Sequence, residues 1–289
     1  MGTDTVNCRL RRCTGMLVVL LTVVVSACSF KTLYNQLDIL IPEYVEGMVT
    51  LDDLLENELE LRSRSLLEWH RSTQLVQYAA WLRALQAETG RLTPARARQL
   101  VAEMDGFWDA LANRLDDDMA VLLPGLGAGQ QAELYASIAA KNEEFREEYI
   151  EPDVAARREA YFDSTREAYE SWIGTVNDDQ EATIRQATNR LIDTASLRLQ
   201  RREQWQDGIR DLLAERGSRQ EKSLRLRAYL ASFEFSKGQE MDSKTAHNKD
   251  IIIQLTVAIS GSMTEKQQEH FIAKTDDYIR MLTELSEHR

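Results

Sequence analysis

The sequence predicts an all-α protein built as an irregular multi-helix bundle, and three observations support this fold class. Apolar side chains recur at intervals of three and four residues along most of the 289-residue chain, which is the spacing of an amphipathic helix. No convincing alternation of apolar and polar residues indicates a strand. The four prolines and most glycines stand at the ends of the helical stretches, where they mark helix boundaries.

The first 27 residues have the layout of a secretory signal peptide. A basic region at residues 9–12 precedes an apolar run at residues 16–25. The run holds about ten residues, well short of the roughly 20 that cross a bilayer as a helix. We therefore predict a signal peptide over residues 1–27 and one α-helical domain over residues 28–289.

The signal peptide ends in small residues placed directly before a cysteine, Val25-Ser26-Ala27-Cys28. This order resembles the lipobox of bacterial lipoproteins. In that family the cysteine thiol takes a diacylglyceryl group, the chain is cut just before the cysteine, and the new amino terminus is acylated. The resemblance therefore implies that Cys28 is the lipidation site. An ordinary cleavage site that releases a soluble protein and an uncleaved signal that acts as a membrane anchor are the alternatives.

Ser29 bears on which membrane holds the anchor. In the enterobacterial sorting rule, an Asp directly after the lipidated cysteine retains a lipoprotein in the inner membrane. Ser29 therefore implies, by the same resemblance, a location on the periplasmic face of the outer membrane. The membrane is then a partner through the lipid anchor.

The cysteine count and the net charge limit the function further. Cys8 and Cys13 leave with the signal peptide, so the mature chain has no cysteine pair for an internal disulfide. Loss of three arginines and Asp4 takes the basic residues from 35 to 32 and the acidic residues from 47 to 46, a net charge of −14. Nucleic acids and anionic lipids bind through basic surfaces, so we predict no nucleic acid partner.

The folded part of the chain begins next to the anchor. Apolar residues start at Phe30, and no polar linker precedes them. We expect the segment Phe30 to Val45 to pack onto the helical body or to lie in the membrane interface, because its apolar side chains are costly to leave in water. The sequence predicts an interruption of this segment at Pro42 and its end at Gly47.

Two long helical stretches follow. Thr50 is placed to cap the first, whose apolar stripe weakens around Ser72-Thr73, then resumes and stops at Gly90. Thr93-Pro94 combines a cap with proline at the first helical position and opens the second. That helix must end by Pro124-Gly125. Two shorter stretches with the same repeat end at Pro152 and Gly174.

The C-terminal part is predicted as further capped stretches. A capping box opens a long stretch over residues 177–217, bent near Thr194 to Ser196, and another capped stretch follows it directly. Lys237 to Ser243 is the one clearly polar loop of any length and a weak domain boundary. A short helix that ends at Gly261 and a last helix that begins at Thr264 complete the chain.

One start signal recurs four times: an apolar residue, a potential cap, two variable positions and usually glutamine. The glutamine side chain closes such a cap reciprocally, and the preceding apolar residue fixes the entering chain. The copies are Leu92-Thr93-Pro94-Ala95-Arg96, Leu126-Gly127-Ala128-Gly129-Gln130, Val176-Asn177-Asp178-Asp179-Gln180 and Met263-Thr264-Glu265-Lys266-Gln267. The pattern resembles the Leu-Thr-x-x-Gln motif of the small periplasmic chaperones that respond to envelope stress. That resemblance implies a chaperone-like function as an alternative.

A second resemblance involves five segments of the N-terminal half: Tyr34-Asn35-Gln36-Leu37-Asp38, Ile41-Pro42, Tyr44-Val45, Leu67-Glu68-Trp69-His70-Arg71 and Tyr78-Ala79. They are similar to the signature of a bacterial lipoprotein family known only as domain of unknown function 6279. The resemblance extends loosely over most of the mature chain, and it implies a helical body without a known activity. Val76 stands where that family commonly has proline, and Gly127 stands where the start signal usually has Thr or Ser.

No constellation for catalysis or metal binding is apparent in the sequence. Nucleophilic catalysis uses a positioned base, most often histidine, and the chain has no Gly-x-Ser-x-Gly elbow and no phosphate-binding glycine loop. A di-iron site in a bundle uses Glu-x-x-His pairs. The residues three before the four histidines are Leu67, Lys244, Gln267 and Leu285. We predict no enzyme activity, no cofactor and no metal.

Trp69-His70-Arg71 is the one dense group of polar and aromatic residues, and it is the candidate binding groove. Trp and Arg are frequent at binding surfaces, so the group is suited to a peptide or a lipid. The alternative is structural, with Trp69 in the core and His70 as a hydrogen-bonded or exposed neighbour. The candidate partners of the group are Tyr34, Asn35, Gln36 and Asp38.

The sequence therefore favours a non-enzymatic outer-membrane lipoprotein whose helical body binds or supports an envelope protein. A chaperone-like binder of unfolded periplasmic chains is the alternative, and it requires a concave apolar or amphipathic face. A hydrolase or another enzyme with an unrecognised site is the third hypothesis, and it requires a deep pocket with convergent polar groups.

Overall fold

The computed structural model of the chain describes residues 27–234 and 239–287, and these residues form helices without a strand. The predicted all-α fold is confirmed. A π-helical turn, His70–Gln74, connects α3 to α4, and a 3-10 turn, Leu123–Gly125, follows α5. The α-helices are α1 (Ala27–Asn35), α2 (Leu37–Glu46), α3 (Asp53–Trp69), α4 (Leu75–Gln86), α5 (Pro94–Leu122), α6 (Ala128–Tyr149), α7 (Val154–Ile173), α8 (Asp178–Thr188), α9 (Ala195–Ala214), α10 (Arg219–Glu234), α11 (Gln239–Ser262) and α12 (Glu265–Glu287).

The main core lies between α4 and α12, the two helices with the most extensive contact. Leu75 and Leu82 of α4 and Leu285 of α12 are buried there together with Tyr34 of α1. Full burial of such an apolar side chain contributes roughly 1.5–3 kcal/mol. The cluster therefore fixes the N-terminal helix to the last helix of the chain.

Helix α5 connects two ends of the bundle. At about 1.5 Å per residue, its 29 residues extend about 43 Å. Near its start, Leu100 packs with Ile253 of α11. Near its end, Ala120 packs with Leu213 of α9 and Leu226 of α10. The bundle is therefore held by several apolar clusters along α5 and not by one central core.

Two predictions for the N-terminal helices are wrong. The first helical segment breaks at Gln36, between α1 and α2, and not at Pro42. Helix α2 continues through Pro42, whose ring is buried, so packing of the ring offsets the backbone bond that proline lacks. Asp52, and not Thr50, caps α3: its Oδ1 accepts from two N–H groups of the first turn at 3.2 and 3.1 Å. The backbone N–H and carbonyl of Thr50 are bonded instead to side chains of α6.

The stretch predicted as one bent helix over residues 177–217 is two helices. Helix α8 ends at Thr188, and α9 begins at Ala195. Asn248 of α11 holds the segment between them. Its side chain accepts a bond from the Ile192 N–H at 2.8 Å and donates one to the Ile192 carbonyl at 2.7 Å. A contact from a distant helix therefore satisfies the backbone where the chain leaves the helical path.

The polar loop predicted at Lys237 to Ser243 is wrong over residues 239–243, which begin α11. An exposed ion pair of 2.8 Å between Lys244 and Glu240, one helical turn apart, supports this polar start. Helix α11 is accordingly much longer than the short helix that the apolar repeat predicts. Residues 235–238 lie outside the described residues.

Two of the four start signals meet in the fold. Gln180 closes the cap of α8 by accepting from the Asn177 N–H at 3.1 Å, and Gln267 closes the cap of α12 by accepting from the Thr264 N–H at 2.9 Å. The two glutamines are only 1% and 6% exposed. Their side-chain amides also bond each other in both directions, at 3.1 and 2.8 Å. We call this pair the glutamine junction, and it fixes the starts of α8 and α12 against each other.

The other two copies of the start signal differ from the junction. At α6, the Gly127 N–H donates to Gln130 Oε1 at 2.8 Å, and Gln130 Nε2 donates to the Thr50 carbonyl at 3.0 Å, with the glutamine half-buried. At α5, Thr93 Oγ1 alone accepts from the Arg96 N–H at 3.3 Å. All four copies therefore mark helix starts as predicted, and two of them form a buried contact.

Most of the predicted signal peptide, residues 1–26, lies outside the described residues, and the backbone of Cys28 is in the first turn of α1. Across residues 27–234 and 239–287, no helix combines the length and the apolar composition that crossing a membrane requires.

Candidate binding site

The candidate site is built on the π-helical turn between α3 and α4. Ser72 Oγ donates to the Glu68 carbonyl at 2.8 Å, and Thr73 Oγ1 donates to the Trp69 carbonyl at 2.5 Å. Hydroxyls that bond back to carbonyls one turn earlier compete with the regular helical ladder. The polar pair Ser72-Thr73 thus interrupts the apolar stripe, and the chain remains helical through a π-helical turn. π-Helical turns are frequent at functional sites because they shift the side chains next to them.

The turn brings His70 against Tyr34 of α1. The Tyr34 hydroxyl oxygen lies 2.8 Å from His70 Nδ1, and the ring centroids are 5.9 Å apart. Tyr34 is only 5% exposed, and His70 is half-buried. The pair is therefore a hydrogen-bonded contact inside the core rather than a surface group.

Arg71 completes the contact from the solvent side. Its Nη2 donates to Asn35 Oδ1 at 3.1 Å, and its guanidinium carbon lies 5.1 Å from the centroid of the Tyr34 ring. A guanidinium over an aromatic face at this distance is a cation–π interaction, worth roughly 0.5–1 kcal/mol at a partly exposed site. The Tyr34–His70 bond and the Arg71 contacts together dock α1 on the bundle, and we call this group the α1 latch.

Burial controls the protonation of the latch. Burial raises the pKa of Tyr34 to about 12, although the nearby Arg71 charge acts in the opposite direction. Burial also lowers the pKa of His70 to about 4. Both side chains are therefore neutral at pH 7. The tyrosine hydroxyl donates to Nδ1 when His70 carries its proton on Nε2.

The structure brings together four of the seven candidate residues in direct contacts: Tyr34, Asn35, His70 and Arg71. The Trp69 ring lies next to them, with its centroid 6.3 Å from that of His70. Gln36 and Asp38 are exposed, one between the first two helices and the other in the first turn of α2. The described contacts thus match the structural alternative for His70, while the half-buried Trp69 and Arg71 stay partly accessible.

Aromatic residues that the sequence did not assign to the site extend it toward α5. The Tyr78 ring lies 5.6 Å from His70 and 5.1 Å from Phe107, measured between centroids. Gln74, at the end of the π-helical turn, is 3% exposed, and its Oε1 has no hydrogen-bond partner within the described part of the chain. Two signals in the sequence point to these residues. Tyr78 belongs to the family signature, and Gln74 is a glutamine on an otherwise apolar face.

The titration of His70 predicts a pH-dependent stability. Above pH 6.5 the histidine is neutral in both the folded and unfolded chains, and the latch contributes in full. Between pH 6.5 and pH 4 the unfolded chain takes up a proton that the folded chain excludes, so the free energy of unfolding falls by about 3 kcal/mol. His70→Asn retains an acceptor and removes this titration, so denaturant unfolding should show a shallower loss over this pH range.

The exposed His247 of α11 supplies the matched control for this prediction. His247→Asn should leave the pH dependence close to that of the wild type. Equal slopes for the wild type and His70→Asn would show that the histidine does not resist protonation in the folded chain.

Within the described residues, no group of three or more His, Cys, Asp or Glu side chains is arranged to hold a metal ion. The α1 latch docks a helix on the bundle. The side chains of Trp69, next to the latch, and of Arg71 are half-buried and remain accessible to a binding partner.

The described residues form a helical bundle whose N-terminal helix is docked at a π-helical turn. The sequence model of a family of unknown function, DUF6279, matches residues 48–234, more than half of the chain, and the protein belongs to this family. The predicted membership of this family is confirmed, and the match begins after the three N-terminal segments of the signature, which lie within residues 34–45. No curated protein and no solved structure matches the chain.

Proposed function

We propose that the protein is an outer-membrane lipoprotein, anchored through Cys28 on the periplasmic face, whose helical body binds or supports an envelope protein next to the membrane. The proposal is a non-enzymatic, membrane-proximal role. It combines the lipobox at residues 25–28 with the way in which the chain continues after the cysteine.

The observation that supports this function is that the anchor residue stands in a docked helix. Helix α1 contains Cys28, and six residues later in the same helix Tyr34 is buried against α4 and α12. A flexible Gly/Ser-rich linker would let the body extend roughly 5–6 Å × √n from the membrane for n residues. Here the helical body begins at the anchor, so the protein is suited to partners close to the leaflet.

The charge of the mature chain favours a particular type of partner. A net charge of −14 gives the body a negative field. Such a field attracts a partner with a basic face and repels nucleic acid and anionic surfaces. The proposed partner is therefore an envelope protein with a basic, membrane-proximal surface.

Replacement of the anchor residue tests the localisation. Cys28→Ser removes the thiol to which the lipid is attached, so incorporation of a fatty-acid analogue during growth should be lost completely. Ser29→Ala is the matched control, because it leaves the thiol in place and should retain the label. Equal labelling of Cys28→Ser and the wild type would end the lipoprotein proposal.

A chaperone-like binder of unfolded chains is the second candidate, supported by large exposed apolar side chains such as Leu61, Trp108 and Leu224. They lie on three different helices, α3, α5 and α10. Crosslinking in living cells, followed by identification of the captured proteins, separates the two functions. Capture of one defined protein would support a lipoprotein with a dedicated partner. Capture of many unrelated, partly unfolded chains would support the chaperone.

A further inference from the structure

Large exposed apolar side chains are concentrated on the first two helices. Leu33 is 46% exposed, Ile39 is 57% exposed and Tyr44 is 60% exposed. No other stretch of twelve described residues contains three large apolar side chains with this exposure. Single exposed apolar residues are ordinary on protein surfaces, but a local group of them indicates a contact surface.

The position of this group relative to the anchor identifies what covers it. Leu33 follows Cys28 by five residues in the same helix, which is about 7.5 Å along the helix axis. Apolar faces of interfacial helices are immersed about 5–10 Å into the boundary between headgroups and acyl chains. Acyl chains attached at Cys28 therefore hold Leu33 within reach of the leaflet surface.

Helix α1 cannot turn away from the bundle to avoid the membrane. Tyr34 is buried in the core, and Asn35 is bonded to Arg71. On the same face of the helix, one turn earlier, Lys31 Nζ lies 3.0 Å from Glu284 Oε2 of α12. The orientation of the anchor is consequently transmitted to α1 and through the α1 latch to the whole bundle.

We propose that Leu33, Ile39 and Tyr44 form a membrane-contact surface that is immersed in the phospholipid leaflet carrying the lipid anchor on Cys28. This inference rests on the proposed lipidation and adds a second, non-covalent contact between the body and the membrane. The acyl chains on Cys28 would attach the protein to the leaflet, and the apolar contact would fix the orientation of the body on it. The membrane-contact surface supplies apolar area beyond the anchor.

The charges around this surface specify the lipid. Asp38, Glu43 and Glu46 are exposed on α2 between and beside the apolar residues. Acidic side chains at the headgroup level are repelled by anionic lipids, whose negative surface potential acts within a Debye length. The surface therefore fits a zwitterionic leaflet, such as one of phosphatidylethanolamine or phosphatidylcholine.

Site-specific labels on the lipidated full-length protein test this contact. The mature chain has no cysteine apart from Cys28, so Leu33→Cys and Ile39→Cys each introduce one reactive thiol. Leu224→Cys on α10, where the native side chain is 63% exposed, is the matched control. Each variant is labelled with a fluorophore and reconstituted into phosphatidylcholine vesicles, and quenching by a water-soluble and by a lipid-soluble quencher is compared.

The expected result is a loss of aqueous quenching and a gain of lipid-phase quenching at positions 33 and 39, with the opposite pattern at position 224. The difference should diminish when anionic phosphatidylglycerol replaces part of the phosphatidylcholine. Suppose that the protein floats with the vesicles but the labels at 33 and 39 are quenched from the aqueous phase as strongly as the label at 224. This result would overturn the inference, while the proposed lipid anchor would stand. Protein that neither carries lipid on Cys28 nor floats with vesicles would overturn the proposed function itself.

Discussion

Gln267→Ala is expected to lower the free energy of unfolding by about 3 kcal/mol, because it opens the glutamine junction. The substitution removes four hydrogen bonds: those with the Thr264 N–H and the Thr175 carbonyl, and the two that join the amides of Gln267 and Gln180. Each buried polar group that loses its partner costs roughly 1–3 kcal/mol. Water cannot easily replace the lost partner, since Gln180 is only 1% exposed. Urea unfolding measures the change.

Gln130→Ala provides a closely matched control for this prediction. Gln130 closes the same kind of cap at the start of α6, but it is only half-buried, so water replaces its partners more easily than at the junction. We expect a loss below about 1 kcal/mol there. A double-mutant cycle of Gln180→Ala and Gln267→Ala should show coupling, since each glutamine satisfies the other. Equal losses in Gln130→Ala and Gln267→Ala, or additive effects in the cycle, would contradict the junction.

Tyr34→Ala is expected to release α1 from the bundle. Truncation of a buried aromatic side chain costs about 3–5 kcal/mol, and the substitution also removes the hydrogen bond with His70 and the Arg71 cation–π contact. Helix α1 is short and has few other contacts, whereas α2 packs extensively on α3, so α1 opens before the rest of the bundle does. Hydrogen exchange of the variant should show fast exchange over residues 30–35 and protected amides in α4 and α12.

Tyr44→Ala separates the latch from a general effect of removing a tyrosine. Tyr44 lies on α2 and is 60% exposed, with Lys141 5.6 Å from its ring as a surface contact. Its loss should leave the exchange of residues 30–45 unchanged within about 0.5 kcal/mol. The exchange rates of Tyr34→Phe should lie between those of Tyr34→Ala and Tyr44→Ala, because this variant keeps the buried ring and removes only the hydroxyl. Unchanged protection in Tyr34→Ala would mean that the latch does not hold α1.

Local signals in the sequence predicted most helix starts because caps are local. Asn177 with Gln180 and Thr264 with Gln267 are capping boxes in the sequence and in the structure. Their meeting at the glutamine junction was not predictable, because the cap pattern specifies a bond three residues away and says nothing about a partner 87 residues away.

The errors have different origins. The break after Thr188 depends on Asn248 from another helix, whereas the start of α11 is polar and lacks the apolar repeat by which a helix is predicted. The candidate site is predictable only in part. The sequence indicates Trp69-His70-Arg71 as a dense group with Tyr34, Asn35, Gln36 and Asp38 as candidate partners, but it does not indicate which of them are in contact. The π-helical turn that aims His70 at Tyr34 arises from the hydroxyls of Ser72 and Thr73, whose competition with the backbone a helical repeat does not reveal.

The helix that contains Cys28, the proposed lipidation site, is part of the folded body and packs on the bundle within a few residues of that cysteine. Hydrogen exchange of the wild-type protein measures this docking, because amides exchange slowly only where the helix stays closed. Amides from Tyr34 to Val45 should be protected at a level similar to those of α12. Exchange at the rate of an unstructured chain throughout residues 30–45, while α4 and α12 stay protected, would contradict this docking.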